Sequence, residues 1–217
     1  MRATPDMPAT GLRVRPPDLD PALPEATHAP PWAALLDRFY RRLGLALPAM
    51  VRLDAKEIRQ PYRRLLVHSD DMTPTLEKFH GGRLHLRVLS REWSFETYQR
   101  EVILELEDSH RPVEYGAIGI HLQHLPEEAR RIVLEERHPF GRILRTESIA
   151  HLSWPQAFFS VRSDAHMSRL LGSQDPAVLY GRRSVLVDGH RRLLADVVEI
   201  VAPVPEPRSH AHEHQAS

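Results

Sequence analysis

The spacing of apolar residues changes at Gly82, and this change constrains the fold more than any other feature of the chain. Before Gly82 the apolar residues recur at helical intervals, as between Trp32 and Leu47. After Gly82 most of them alternate with polar residues, which is the pattern of strands that bury one face. Short turns separate the alternating segments, and Gly189-His190 is typical of a two-residue hairpin turn. The sequence therefore predicts an α+β fold with an antiparallel sheet rather than parallel βαβ units.

The predicted elements form a single domain over residues 32–203. Helices are predicted at 32–47, after Asp71, and from Leu125 to about Arg137, where the segment HPFG (138–141) ends the third helix. Strands are predicted at 84–89, 98–106, 113–122, 147–153, 157–162, 181–188 and 191–202. We expect about six of these strands to form the sheet, with the helices flanking it.

The two ends of the chain differ in composition from this domain. Residues 1–31 contain eight of the 19 prolines. Because proline lacks a backbone N–H and restricts the residue before it, this segment is predicted to be a disordered leader. Residues 204–217 are predicted to be a disordered, histidine-containing tail. No signal peptide and no membrane span are recognisable, so a cytoplasmic protein is predicted.

Charge and cysteine content exclude several classes of function. The 29 basic residues balance the 29 acidic ones, so the chain lacks the positive charge that binding to nucleic acids or membrane surfaces requires. There is no cysteine, which excludes disulfides, thiolate nucleophiles and iron–sulfur clusters. No zinc-binding helical pair, P-loop or dinucleotide fingerprint is present. We therefore expect no catalytic metal.

Three charged residues share strand faces with apolar residues, so alternation points them toward the interior. Arg100 lies on the apolar face of 98–106, Glu114 on that of 113–122, and Glu199 on that of 191–202. The opposite face of 98–106 carries Glu101 and Glu105 and is predicted to be the wetter one. A buried charge without a partner costs several kcal/mol, so each inward charge needs a compensating group.

Two explanations of the inward charges remain open. The first is purely structural: the charges form an internal Arg–Glu ion pair or lie at strand ends that reach water. The second is functional: the charges line a ligand pocket inside the sheet. In such a pocket Arg100 would bind a carboxylate through two hydrogen bonds, and a glutamate would bind a hydroxyl or move a proton. A small aromatic carboxylate with a ring hydroxyl would satisfy both ends of the pocket.

Four sequence blocks resemble, in the same order, those of the chorismate pyruvate-lyase (4-hydroxybenzoate synthase) superfamily. They are SDDMT (69–73), QREVIL (99–104), HPFGRIL (138–144), and the pair LYGRRSVL (179–186) and LLADVVEIVAP (193–203). The central VEYGAI segment is similar to that of a divergent branch of this superfamily. The resemblance implies a chorismate lyase-like sheet of about six antiparallel strands, with helices that enclose the ligand.

The resemblance also implies an activity. The chain would be a carbon–oxygen lyase of aromatic acid biosynthesis that eliminates pyruvate from chorismate, or a close relative, to give 4-hydroxybenzoate without a cofactor. Arg100 and Glu199 would be the catalytic residues, with Arg100 on the ring carboxylate and Glu199 at the ring hydroxyl. The remaining substrate-binding residues would lie around them, at Met72, Thr73, Phe140, Gly141, Glu114 and Arg182.

The chain departs from this superfamily in its central strand. A second arginine of the lyases is missing there, with Ala117 or a neighbour in its place, and the added Glu114 is unfavourable to a dicarboxylate. Arg182, Arg183 or Arg142 could supply the missing cation. The alternative is a non-catalytic binding or sensor domain for a small aromatic acid on the same fold. No DNA-binding helix-turn-helix is evident before residue 83, which favours the lyase over a regulator. The oligomeric state is left open.

Overall fold

The computed structural model describes residues 29–94, 97–173 and 176–204. The leader predicted over 1–31 and the tail predicted over 204–217 lie almost entirely outside these ranges. Within the ranges, no helix combines the length and the apolar character that crossing a membrane requires.

The part of the chain that is described folds into one sheet of seven strands with six α-helices. The strands are β1 (Met50–Leu53), β2 (Leu84–Ser94), β3 (Thr97–Leu106), β4 (Pro112–His121), β5 (His151–Arg162), β6 (Val178–Asp188) and β7 (Leu193–Val201). The helices are α1 (Ala34–Arg42), α2 (Tyr62–Leu66), α3 (Met72–His80), α4 (Glu127–Leu134), α5 (Phe140–Thr146) and α6 (Ala165–Leu171).

The predicted fold class is confirmed, because every strand pair in the sheet is antiparallel. The strand order is β1-β5-β6-β7-β4-β3-β2. The seventh strand, β1, was not predicted: it has only four residues, lies at the edge of the sheet, and its two central residues are exposed. Alternation cannot reveal a strand that buries so little of its surface.

Two boundaries were predicted wrongly in the second half of the domain. The strands predicted at 147–153 and 157–162 are one strand, β5, in which the pairing shifts between Pro155 and Ala157. A bulge of this kind interrupts the alternation without ending the strand. The segment HPFG, predicted to end a helix, instead leads into α5 at Phe140. The proline of this segment is tolerated at the start of a helix, because the backbone N–H that it lacks would have no partner there.

Helices cover both faces of the sheet. Helices α1 and α6 pack on one face, which we call the outer face, and α2 to α5 pack on the other, which we call the inner face. Strands β3 and β4 are therefore buried on both faces. The prediction that the face of β3 carrying Glu101 and Glu105 is the wetter one is wrong: these residues are only 2% and 7% exposed on the outer face. Glu101 accepts a hydrogen bond from Tyr115, and Glu105 pairs with Arg87.

Close packing on the outer face depends on Gly181 in β6. The ring of Phe159 on the neighbouring strand lies over this glycine, and Trp32 stacks on Phe159 with a 4.8 Å separation of ring centroids. A Cβ atom at Gly181 would lie 2.5 Å from the Phe159 ring and would also meet the carbonyl oxygen of Glu199. The position therefore has no room for a side chain.

We expect Gly181→Ala to lower the free energy of unfolding by about 1–3 kcal/mol, as overpacking does. Gly189→Ala is the matched control, because nothing lies within 4 Å of a Cβ atom built there. Urea unfolding of both variants measures the difference. Equal stabilities would contradict the importance of this contact.

Candidate ligand-binding pocket

A pocket lies on the inner face of the sheet. Its floor comes from β3, β4, β6 and β7, and the first residues of α3 and α5 lie at its border. The structure brings together around it all eight residues that the sequence singled out: Met72, Thr73, Arg100, Glu114, Phe140, Gly141, Arg182 and Glu199. Their roles stay predictions.

Strand register explains why the charged residues share this face. Gly116 lies between Val102 of β3 and Glu199 of β7, and Glu199 is in turn paired with Arg182 of β6. Directly paired residues of antiparallel strands point to the same side of a sheet. Arg100 and Glu114 lie in the neighbouring rows, on either side of this one. The pocket therefore has three successive rows along the strands, with Arg100 and Glu114 in the outer two.

Arg100 is the least satisfied charge of the pocket. It is 1% exposed, its Nε has no hydrogen-bond partner, and its terminal nitrogens make only long contacts, of 3.5 and 3.4 Å, to the carbonyl oxygens of Val133 and His138. Among the ion pairs of the described residues, none includes Arg100. Burial lowers the pKa of Arg100 to about 10, so the guanidinium is still charged at neutral pH.

Arg182 and Glu199, by contrast, neutralise each other. The Nε of Arg182 donates to Glu199 Oε2 over 2.7 Å, and both residues are buried. The terminal nitrogens of Arg182 donate to three carbonyl oxygens in the segment that links α2 to α3: those of Leu66, His68 and Asp70. The internal ion pair that the sequence left open therefore exists, but with Arg182 in place of Arg100. Arg182 is consequently not available as the missing second cation for a substrate.

Glu114 is a buried carboxyl group without a cation of its own. It is 5% exposed, and its Oε2 has no hydrogen-bond partner in the described part of the chain. Burial raises the pKa of Glu114 well above its usual range, and the nearby negative charge of Glu199 raises it further, while Arg182 opposes the shift. We therefore expect a protonated Glu114 in the empty pocket.

One border of the pocket is formed where the beginnings of α3 and α5 meet. Gly141 packs so closely there that an added Cβ atom would lie 3.4 Å from both Asp71 and Thr73. Asp71 also accepts hydrogen bonds of 3.0 Å from His151, which raises the pKa of that histidine. The first N–H groups of a helix have no acceptor within the helix, so this border offers donors and positive potential.

Sequence analysis missed several lining residues. Asp71 belongs to the SDDMT block but was not singled out, and Ser153 lies on β5, whose extent was predicted wrongly. The apolar walls could have been found from alternation, since they lie on the same strand faces as the charges: Leu86, Val102, Leu104, Ile118, Leu186 and Val197.

No protein-family model matches the sequence, and a search of the curated proteins finds no relative. Solved structures do resemble the fold. The effector domain of PhnF from Mycobacterium smegmatis is 15% identical, with a TM-score of 0.49 over 64% of this chain and 92% of that one. For PhnF itself the TM-score is 0.48 at 15% identity, over 64% of this chain, which spans only 66% of PhnF. The ligand-binding domain of a GntR-family transcriptional regulator from Bordetella bronchiseptica is 11% identical, with a TM-score of 0.43 over 54% of this chain and 85% of that one.

These comparisons correct the activity expected from the sequence. Of these structures one is described as an effector domain and one as the ligand-binding domain of a transcriptional regulator, and none of the three is described as a lyase. The prediction of an enzyme that releases pyruvate from chorismate is therefore wrong. A physical reason agrees with this correction, because Glu199, the expected catalytic group, is bound to Arg182. Likenesses this distant say nothing about which ligand the chain binds.

We expect Arg182→Ala to lower the free energy of unfolding by about 3–5 kcal/mol, because it leaves Glu199 buried without its partner. Arg183 is the control on the same strand. It pairs with Asp196 on the outer side of the sheet, where both side chains are at least a quarter exposed, so Arg183→Ala should cost about 1 kcal/mol or less. Urea unfolding distinguishes the two. Similar losses for both variants would contradict the importance of the inner pair.

The raised pKa of Glu114 predicts a pH dependence of stability. The folded state binds this proton more tightly than the unfolded state, so the stability it contributes is complete below pH 4.5 and is lost as the pH rises toward the folded pKa. Glu114→Gln removes this loss. The free energy of unfolding of the variant minus that of the parent should therefore increase from pH 4.5 upward, by at most about 1.4 kcal/mol per pH unit.

Urea unfolding at several pH values between 5 and 8 measures this gain. Glu127→Gln, at the exposed start of α4, is the control, and its difference from the parent should not change in the same way. A difference for Glu114→Gln that stays constant with pH would show that the carboxyl group is not protonated in the folded protein.

Proposed function

We propose that this chain is a non-catalytic binding domain for a small organic acid, which it takes up in the inner-face pocket. The acid has one carboxylate and an apolar, ring-sized body. It binds with the carboxylate at Arg100 and the body against the apolar walls of the sheet. This proposal keeps the ligand class that the sequence suggested and assigns no reaction to the site.

The observation that carries the proposal is the state of Arg100. A guanidinium that is 1% exposed and has no carboxylate partner destabilises the fold, since its desolvation is not repaid within the protein. A ligand carboxylate would satisfy the free Nε together with a terminal nitrogen, in the two-bond geometry that arginine favours. Binding would thus supply the charge that the empty protein lacks.

Two further features support an anionic ligand in this pocket. Met72 and Thr73 begin α3, so their backbone N–H groups have no acceptors within the helix and can donate to a carboxylate. Phe140 and Gly141 begin α5 at the same border. The apolar side chains of the pocket, such as Ile118 and Val197, then suit a hydrophobic body between the two ends.

The arrangement of the acidic groups supports binding rather than catalysis. Glu199 is held by Arg182, and Glu114 is expected to be protonated, so neither is poised to accept a proton from a ligand. Both groups can still position a ligand through hydrogen bonds.

Arg100→Met tests the proposal. We expect the variant to lose binding of benzoate and 4-hydroxybenzoate by at least tenfold, because the ligand carboxylate would have no counterion. We also expect a higher free energy of unfolding, since methionine fills the site without a buried charge. Isothermal titration calorimetry measures the affinities, and urea unfolding measures the stability.

Arg183→Met is the control, because Arg183 lies on the other side of the sheet in its pair with Asp196. It should leave both affinities unchanged. Benzyl alcohol, which has the ring without the carboxylate, should bind neither protein measurably. The proposal fails if Arg100→Met binds benzoate as the parent does, or if the parent binds none of the acids.

A further inference from the structure

The two ends of the inner-face pocket have opposite chemical character. Arg100 makes one end positive, and no carboxylate among the described residues forms an ion pair or hydrogen bond with it. The other end contains the carboxyl group of Glu114, and the ion pair of Arg182 with Glu199 lies in the row between the two ends. A single acidic group is thus left at that end.

None of the hydrogen bonds that Arg182 donates goes to Glu114. Its Nε donates to Glu199, and its terminal nitrogens donate to the backbone carbonyls between α2 and α3. Glu114 Oε2 is buried without a hydrogen bond on the adjacent row of the sheet. The Glu114 end therefore has a buried carboxyl oxygen without a hydrogen bond, and no cation of the protein is paired with it.

We propose that the ligand of this pocket is a zwitterion whose carboxylate binds Arg100 and whose protonated nitrogen, at the opposite end of the molecule, binds Glu114. This inference rests on the proposed function and specifies the class of acid. It requires that Glu114 be ionised in the complex, with the ligand nitrogen as its counterion. The complex would then contain two compensated pairs, Arg100 with the carboxylate and Glu114 with the nitrogen, beside the internal Arg182–Glu199 pair.

Strand register separates the two ligand charges. Arg100 is opposite Ile118 in β4, and Glu114 lies four residues from Ile118 on the same strand, which is about 13 Å at 3.3 Å per residue. Both side chains are long and shorten this gap. An α-amino acid carries its two charges on one carbon and cannot reach both ends. A ring or chain with the charges at opposite ends can.

The burial of Glu114 agrees with this assignment. A carboxyl group that burial keeps protonated when the pocket is empty becomes ionised when a cation is placed next to it. A neutral ligand group at the same place would leave the carboxyl protonated, and Glu114 would then act only as a donor or acceptor of one hydrogen bond. The two cases differ in whether the charge of the ligand affects its affinity.

Three para-substituted benzoates test the inference by isothermal titration calorimetry at pH 7.5. The substituents are aminomethyl, which is cationic, hydroxymethyl, which is a neutral donor, and ethyl, which is apolar and of similar size. We expect 4-(aminomethyl)benzoate to bind the parent protein at least tenfold more tightly than either of the others. In Glu114→Gln this preference should fall to threefold or less, while the affinity for 4-ethylbenzoate is kept or increased.

Glu105→Gln is the matched control. Glu105 is also a buried glutamate of this sheet, but it lies on the outer face and pairs with Arg87. This variant should keep the full preference for the aminomethyl compound. A preference that disappears in both variants would reflect a general effect of losing a buried carboxylate and would overturn the assignment to Glu114.

Failure of this inference and failure of the proposed function give different results. If 4-ethylbenzoate or 4-(hydroxymethyl)benzoate binds the parent as tightly as the aminomethyl compound, and Arg100→Met abolishes that binding, the ligand is an acid without a cationic end. The inference is then overturned and the proposed function stands. If none of the three binds the parent, or if binding does not depend on Arg100, both are overturned.

Discussion

The ion pair between Arg182 and Glu199 is the contact on which the arrangement of the pocket depends. Arg182 bonds to β7 through Glu199 and to the segment between α2 and α3 through the carbonyls of Leu66, His68 and Asp70. It thereby joins the floor of the pocket to the segment that leads into α3. The beginning of α3, with Met72 and Thr73, is held at the pocket as a consequence.

Arg100 differs from Arg182 although both are buried arginines on the same face. The charge of Arg182 is balanced inside the protein, so it contributes to the folded structure with or without a ligand. Arg100 has no ion-pair partner among the described residues and only a longer-range attraction to Glu136, so the protein retains its charge at a cost in stability. Groups that destabilise a fold are commonly those that bind a ligand, because the arrangement that binds a ligand best is often not the most stable one.

Alternation predicted the strand faces that carry Arg100, Glu114 and Glu199, because all three lie in long strands whose inner residues are otherwise apolar. It could not predict which charges pair, since the Arg182–Glu199 bond depends on strand register and on the path of a distant loop. It also failed at Glu101, because one strand contains no information about the helices that cover its other face. In the structure α1 and α6 bury that residue beside Tyr115.

The activity was predicted wrongly for the same reason: the sequence pattern shows which charged residues share a face, but not which of them pair. The sequence blocks specify which residues surround the pocket, and a lyase and a binding domain can share such a set on one fold. Their chemistry depends on the charge state of each group. Here Glu199 is engaged by Arg182, and Glu114 is left without a cation, which favours recognition of a ligand nitrogen over proton transfer. The partner of each acidic group, rather than its presence in the pocket, determines what the pocket can do.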